Sequence, residues 1–150
     1  MSLGLWLGVT VGGSLGAGAR FLVTGMVDGM VDGIVEDVAD GVARDRRGTG
    51  GRGPGGRWAG IGLGTPLVDV TGSLLLGIVT GLVVFHGAPR AWEVVLGTGF
   101  CGGYTTFGTA CVETFRLAQQ GRSTAAAVHA LAILSLSTLA GGIGLALAAL

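Results

Sequence analysis

The sequence contains no lysine, and only 12% of its 150 residues are charged. A soluble globular domain carries about twice that share. Nine arginines balance nine acids. They form no long basic tract, which argues against a nucleic-acid partner. The two cysteines, Cys101 and Cys111, are too few for a disulfide framework. Both lie in apolar surroundings and are expected to be small buried residues. No acid–base–nucleophile constellation and no cluster of metal-ligating side chains is visible, so the sequence does not read as an enzyme.

What is present is apolar and small. Hydrophobic residues make up 49% of the chain, glycine contributes 32 positions, and the mean hydropathy is +0.71. Small residues let membrane helices pack closely, whereas disorder needs low hydrophobicity. Four stretches approach the ~20 apolar residues that cross a bilayer. They run from about Leu3 to Val27, Ile61 to Phe85, Ala91 to Leu117 and Ala125 to Leu150. The first lacks a basic n-region and is followed by three more spans, so it is not read as a signal peptide. The reading is a single all-α membrane domain of four transmembrane helices over residues 1–150.

The connection over residues 28–59 is long and polar. Its first part, "VDGMVDGIVEDVADGVARD", places acids at 28, 32, 36 and 40, a four-residue step that gives a helix with an acidic stripe. Its glycines weaken that helix. Its second part, "RRGTGGRGPGGR", reads as a flexible basic linker. The segment is expected to be a solvated insertion without a direct role in chemistry. Arg44, Arg46, Arg47, Arg52, Arg57, Arg116 and Arg122 fall on one side by span counting, with Arg20 toward it, and only Arg90 on the other. The positive-inside rule then makes the long loop cytoplasmic and both termini external.

Polar residues inside the spans carry the functional reading. Arg20 is either an interfacial anchor or an anion-attracting residue in a vestibule. Asp69, deep in the second span, costs several kcal/mol unless paired, hydrated or protonated. It is either functional or a neutral, hydrogen-bonded carboxyl. Gly12-xxx-Gly16, Gly77-xxx-Gly81 and Ser137-xxx-Gly141 are packing seams. His86 and His129 are expected to be packing or interfacial residues. The stretch "GFCGGYTTFGTACVE", residues 99–113, is poor continuous helix. Unwound backbone at membrane depth survives only where protein buries it or water lines it. Its freed carbonyls can hold a cation, and the edge of Phe107 can meet an anion.

Three blocks together resemble the CrcB (Fluc) fluoride channel family. "GGSLGAGARF" is similar to the family's GGxxGAxxRY, "GTPLVDVTGSLLLG" to GTLxVNxxGSFLxG, and "GFCGGYTTFGTACVE" to GFCGGxTTFSTFxxE. The resemblance covers nearly the whole chain except the long first loop. It implies a four-helix subunit with a broken third helix. It also implies an antiparallel, dual-topology dimer in the cell membrane, with two narrow fluoride pores along the interface. A structural sodium ion at the dimer centre would take the carbonyls of Gly102 and Thr105. Phe107, Thr106, Thr65, Glu113 and Ser137 match polar or anion-facing pore positions. The implied physiology is passive fluoride export. Hydrogen fluoride enters neutral and dissociates, and the trapped anion leaves through the channel.

The sequence departs from that pattern at the pore. Asp69 stands where the family has asparagine, Ala110 where it has a second phenylalanine, and Gly108 where it has serine. An ionised Asp69 repels an anion, whereas an amide donates to it. Together with the arginine bias, this points to one half of a heterodimer whose oppositely oriented partner supplies the missing groups. Three other readings stand beside it. The chain could form a self-sufficient homodimer with a protonated Asp69. It could be a small four-span proton-coupled transporter using Asp69 or Glu113. It could also be an inert subunit that only stabilises a partner.

Overall fold

The structure, a computed structural model, describes residues 2–45 and 64–150, with side chains of the first helix described up to residue 33. The described residues are helical, joined by short turns, with no strand among them. Helix α1 spans Leu3–Asp45 and α2 spans Gly64–His86. A third run begins as α3 (Arg90–Trp92), widens into a π-helical stretch (Glu93–Cys101) and closes as α4 (Gly102–Tyr104). Helices α5 (Phe107–Gln119) and α6 (Ser123–Leu147) follow. Residues 3–33 of α1, all of α2 and all of α6 are long and apolar enough to cross a bilayer.

Helix α1 does not stop near Val27, where the sequence reading ends the first span. It runs on through Asp45 as 43 residues, about 64 Å at 1.5 Å per residue, roughly twice the ~30 Å bilayer core. The acids at 28, 32, 36 and 40 are therefore helical, as their spacing suggests. Asp28 is not merely solvated: its Oδ1 accepts the Gly64 N–H at 2.9 Å. A carboxylate there satisfies one of the four orphan N–H groups that start α2 and complements the helix dipole. The flexible linker predicted beyond Asp45, residues 46–57, lies outside the described residues.

The molecule is apolar outside and small or polar inside. Leu7, Val11, Leu15 and Phe21 of α1 and Leu131 and Leu139 of α6 are exposed. The buried set contains Val68 and Cys101 beside Thr65, Asp69 and His129. That inversion suits lipid, where helix association comes from close packing rather than from hiding apolar groups. The glycine seams read from the sequence are where helices touch. A Cβ on Gly16 would collide with the Phe100 carbonyl oxygen, and one on Gly77 with that of Gly141. These contacts also fix direction. Residues 8, 12 and 16 of α1 meet 95 to 104 in ascending order, and residues 77 and 81 meet 141 and 145 likewise. The first run is thus parallel to the third, and α2 is parallel to α6.

Gly77→Ala is expected to lower the thermal unfolding temperature in detergent micelles, by the ~1–3 kcal/mol of a tight-packing clash. Intrinsic helix propensity favours alanine by ~1 kcal/mol, so the sign isolates the packing term. Gly142→Ala on the same helix pair, with open space around it, should be neutral or stabilising. Asp28→Ala should cost about 1 kcal/mol in the same assay and Asp28→Asn less, because the amide oxygen still caps α2. Equal losses for both would show that charge, rather than capping, is what α2 uses.

Candidate functional site

The centre of the site is the junction between α4 and α5. The helix ends at Tyr104, and Thr105 (φ −77°, ψ 155°) and Thr106 (φ −150°, ψ 101°) are extended. Thr105 folds back: its N–H and its hydroxyl both donate to the Cys101 carbonyl, each at 2.8 Å. Thr106 cannot do the same. In a continuous helix its N–H would donate to the Gly102 carbonyl. Here it donates to Asp69 Oδ1 at 2.9 Å, which releases that carbonyl. Thr106 Oγ1 then caps α5 through a long 3.5 Å contact from the Thr109 N–H.

Beside the junction lies a groove of about 500 Å³ between α2, α5 and α6. Asp69, Thr105, Phe107, Ala110, Cys111 and Ser137 are among its walls. Phe107, the first residue of α5, is 83% exposed. The Ser137 hydroxyl is buried with no hydrogen-bond partner among the described residues. Ala110 is buried in the wall, a methyl group where a ring would have projected. Cys101 is buried as expected. Cys111 is exposed, because α5 turns that face to the groove rather than to a neighbouring helix.

A second polar cluster lies one helical turn from Asp69 along α2. Thr65 donates its hydroxyl to Glu113 Oε1 at 2.8 Å. Glu113 Oε2 lies 3.4 Å from His129 Nε2. That contact is within charge range but lacks hydrogen-bond geometry, and neither atom has a hydrogen-bond partner among the described residues. His129 Nδ1 meets the Thr114 hydroxyl at 3.0 Å. Arg20 is half-buried on α1.

The structure therefore gathers Asp69, Thr105, Thr106, Phe107 and Ser137 around one groove and Thr65 and Glu113 into the adjoining cluster. Arg20 lies near the first group. Gly102 is exposed at the end of the helical run rather than in the groove wall. Sequence reasoning treated His129 as a packing residue and Asp28 as solvated, and it assigned no role to Tyr104, whose hydroxyl meets Thr71 Oγ1 at 3.2 Å. A usable signal existed for His129. It precedes Ser137 by eight residues, which puts both on one face of a helix.

Comparison with known proteins is consistent across the chain. Residues 7–148 match the family described as "CrcB-like protein, Camphor Resistance (CrcB)". A protein named "Fluoride-specific ion channel FluC 1" from Symbiobacterium thermophilum is 39% identical over 147 residues, covering 95% of each chain. One of the same name from Nitrobacter hamburgensis is 35% identical over 140 residues, covering 91% of this chain and 90% of that one. A third, from Leifsonia xyli subsp. xyli, is 51% identical over 83 residues, 55% of this chain and 61% of its own length. With nearly its full length matched, the chain belongs to the CrcB family.

Proposed function

We propose that this chain is a subunit of a fluoride channel that lets cytoplasmic fluoride leave the cell passively across the plasma membrane. The exposed Phe107 ring carries the reading. It stands at the first turn of α5, immediately after unwound backbone, on a groove whose mostly apolar wall also carries Asp69 and the hydroxyls of Ser73, Thr105, Thr114 and Ser137. An aromatic edge and fixed hydroxyl donors can replace the hydration shell of a small anion, and a narrow path disfavours larger halides. Phe107, Thr106, Ser137, Thr65 and Glu113 are the groups assigned to the path, with Arg20 drawing anions toward it.

In this reading the run from Arg90 to Gln119 is the third crossing, broken at Thr105 and Thr106. Its parallel course beside α1 supports that assignment. A second, antiparallel subunit closes the groove into a pore, and the long connection after α1 is cytoplasmic. The carbonyls of Gly102 and Thr105 are proposed to hold a structural sodium ion together with their counterparts. The Gly102 oxygen fits that role, because Asp69 has taken the N–H that would otherwise have occupied it. The ion would supply positive charge where the two subunits meet. Asp69 and Ala110 weaken the pore that this chain builds for itself. The arginine bias fixes one insertion direction. Both favour a heterodimer with an oppositely inserted relative.

Fluoride efflux from liposomes tests this. With the heterodimer, efflux is expected to be absent from this chain alone and rapid with its partner, and Phe107→Ile here should then stop it. Rapid efflux from the chain alone would replace the heterodimer with a homodimer. No efflux in either case would remove the channel reading. Asp69→Asn makes a sharper test of the pore. The amide keeps an oxygen for the Thr106 N–H, loses the negative charge and gains two donors. Faster efflux than from the parent chain is expected, and slower efflux would show that the carboxylate itself is needed.

A further inference from the structure

Glu113 presents a difficulty for an anion path. It sits beside Thr65, one turn from Asp69, so two carboxylates flank the proposed route. A like charge within a few Å of a passing anion opposes it by several kcal/mol at an effective dielectric near 20. The side chain packed against Glu113 is His129 of α6, buried and two turns before Ser137 on the same face. Its Nε2 and Glu113 Oε2 are 3.4 Å apart, buried, and without another partner among the described residues. A proton on this ring would turn an idle contact into an ion pair.

The other ring nitrogen permits the change. His129 Nδ1 meets the Thr114 hydroxyl at 3.0 Å. A hydroxyl both donates and accepts, so that bond survives whichever nitrogen carries the proton. The surrounding charges do not reverse the outcome. On α5, Glu113 faces the ring, and Arg116 is exposed one turn away. On α2 there is Asp69, and on α1 Asp28 at the α2 N-terminus and Arg20 near Asp69. Arg122 occupies the residue just before α6. Counting Asp69, Glu113 and Arg20, the inner cluster carries −1 with a neutral imidazole and zero with an imidazolium.

We propose that His129 is a permeation residue of this chain: by pairing with Glu113 it neutralises the carboxylate, and its protonation sets how readily the Thr65–Glu113 stretch admits an anion. The proposal rests on the fluoride-channel reading above. Its sign is fixed. Efflux rises as pH falls, because protonation of the ring adds a positive charge beside the path.

The experiment is fluoride efflux from liposomes at equal internal and external pH, with the partner subunit present if one is required. Protein-free vesicles are subtracted to remove passive leak of hydrogen fluoride. Efflux should be at least about threefold faster near pH 5.5 than near pH 7.5. His129→Gln, which can keep the Thr114 bond, should flatten the profile at the slow level. A flat profile in the parent chain, or an equal slope in His129→Gln, overturns the proposal while leaving the channel reading intact. Efflux at no pH overturns the channel reading, and this role with it. If the Gln variant is not monodisperse on size exclusion, ¹⁵N imidazole signals of the parent chain in nanodiscs decide. Only two histidines are present, so His86→Asn assigns them. A His129 signal that does not shift on Glu113→Gln overturns the pairing.

Discussion

A backbone N–H with no partner inside a bilayer costs several kcal/mol, because no water is there to accept it. The junction at Thr105 and Thr106 would incur that cost, and the hydrogen bond from the Thr106 N–H to Asp69 removes it. Much of the site follows from this one bond. It holds Thr106 extended, so α5 can start afresh with Phe107 at its first turn. It releases the Gly102 carbonyl, and it sets α2 against the junction. A carboxylate that looks expensive at membrane depth is thus repaid locally as an acceptor, whatever else it does to an anion.

That bond forms only if α2, α5 and α6 stand at a fixed register, and the glycine seams supply it. Gly77 and Gly144 bring the α2 and α6 backbones into contact, which leaves little freedom to slide. With the two helices parallel and offset by 64 residues at Gly77 and Gly141, Thr65 falls level with His129. Ser73 likewise falls level with Ser137, and both line the groove. The polar residues meet because small residues elsewhere let the helices close. The bulky apolar side chains, needed for lipid contact, are turned outward.

Much of this was legible in the sequence. Hydropathy located α2 and α6 to within a few residues, and small-xxx-small spacing named the surfaces that touch. The glycines and threonines of residues 99–113 marked the place where the backbone turns extended. The end of α1 was not legible, because hydropathy reports where a chain leaves lipid rather than where its helix stops. Asp28 was read as solvated since its partner, the Gly64 N–H, is 36 residues away and appears only when α1 and α2 pack. His129 was missed for the same reason. Its spacing from Ser137 put it on the polar face of α6, but its meaning comes from Glu113 on a different helix.

The exchange of asparagine for Asp69 separates two demands that one amide meets together. The junction needs an acceptor for the Thr106 N–H, and a carboxylate serves as well as an amide oxygen. A passing anion needs a donor, and a carboxylate has none unless protonated. With Asp69 the structural demand is met, and in the proposed channel an ionised Asp69 would leave the donor or positive charge for the anion to come from elsewhere. In that channel, Arg20 and a protonated His129, whose Nε2 lies 3.4 Å from Glu113 Oε2, are this chain's candidates for that role. An oppositely inserted partner would bring a second set of pore groups to the same groove. In the proposed channel the junction keeps what folding requires, and the groups that would meet the anion are the ones a second subunit could supply.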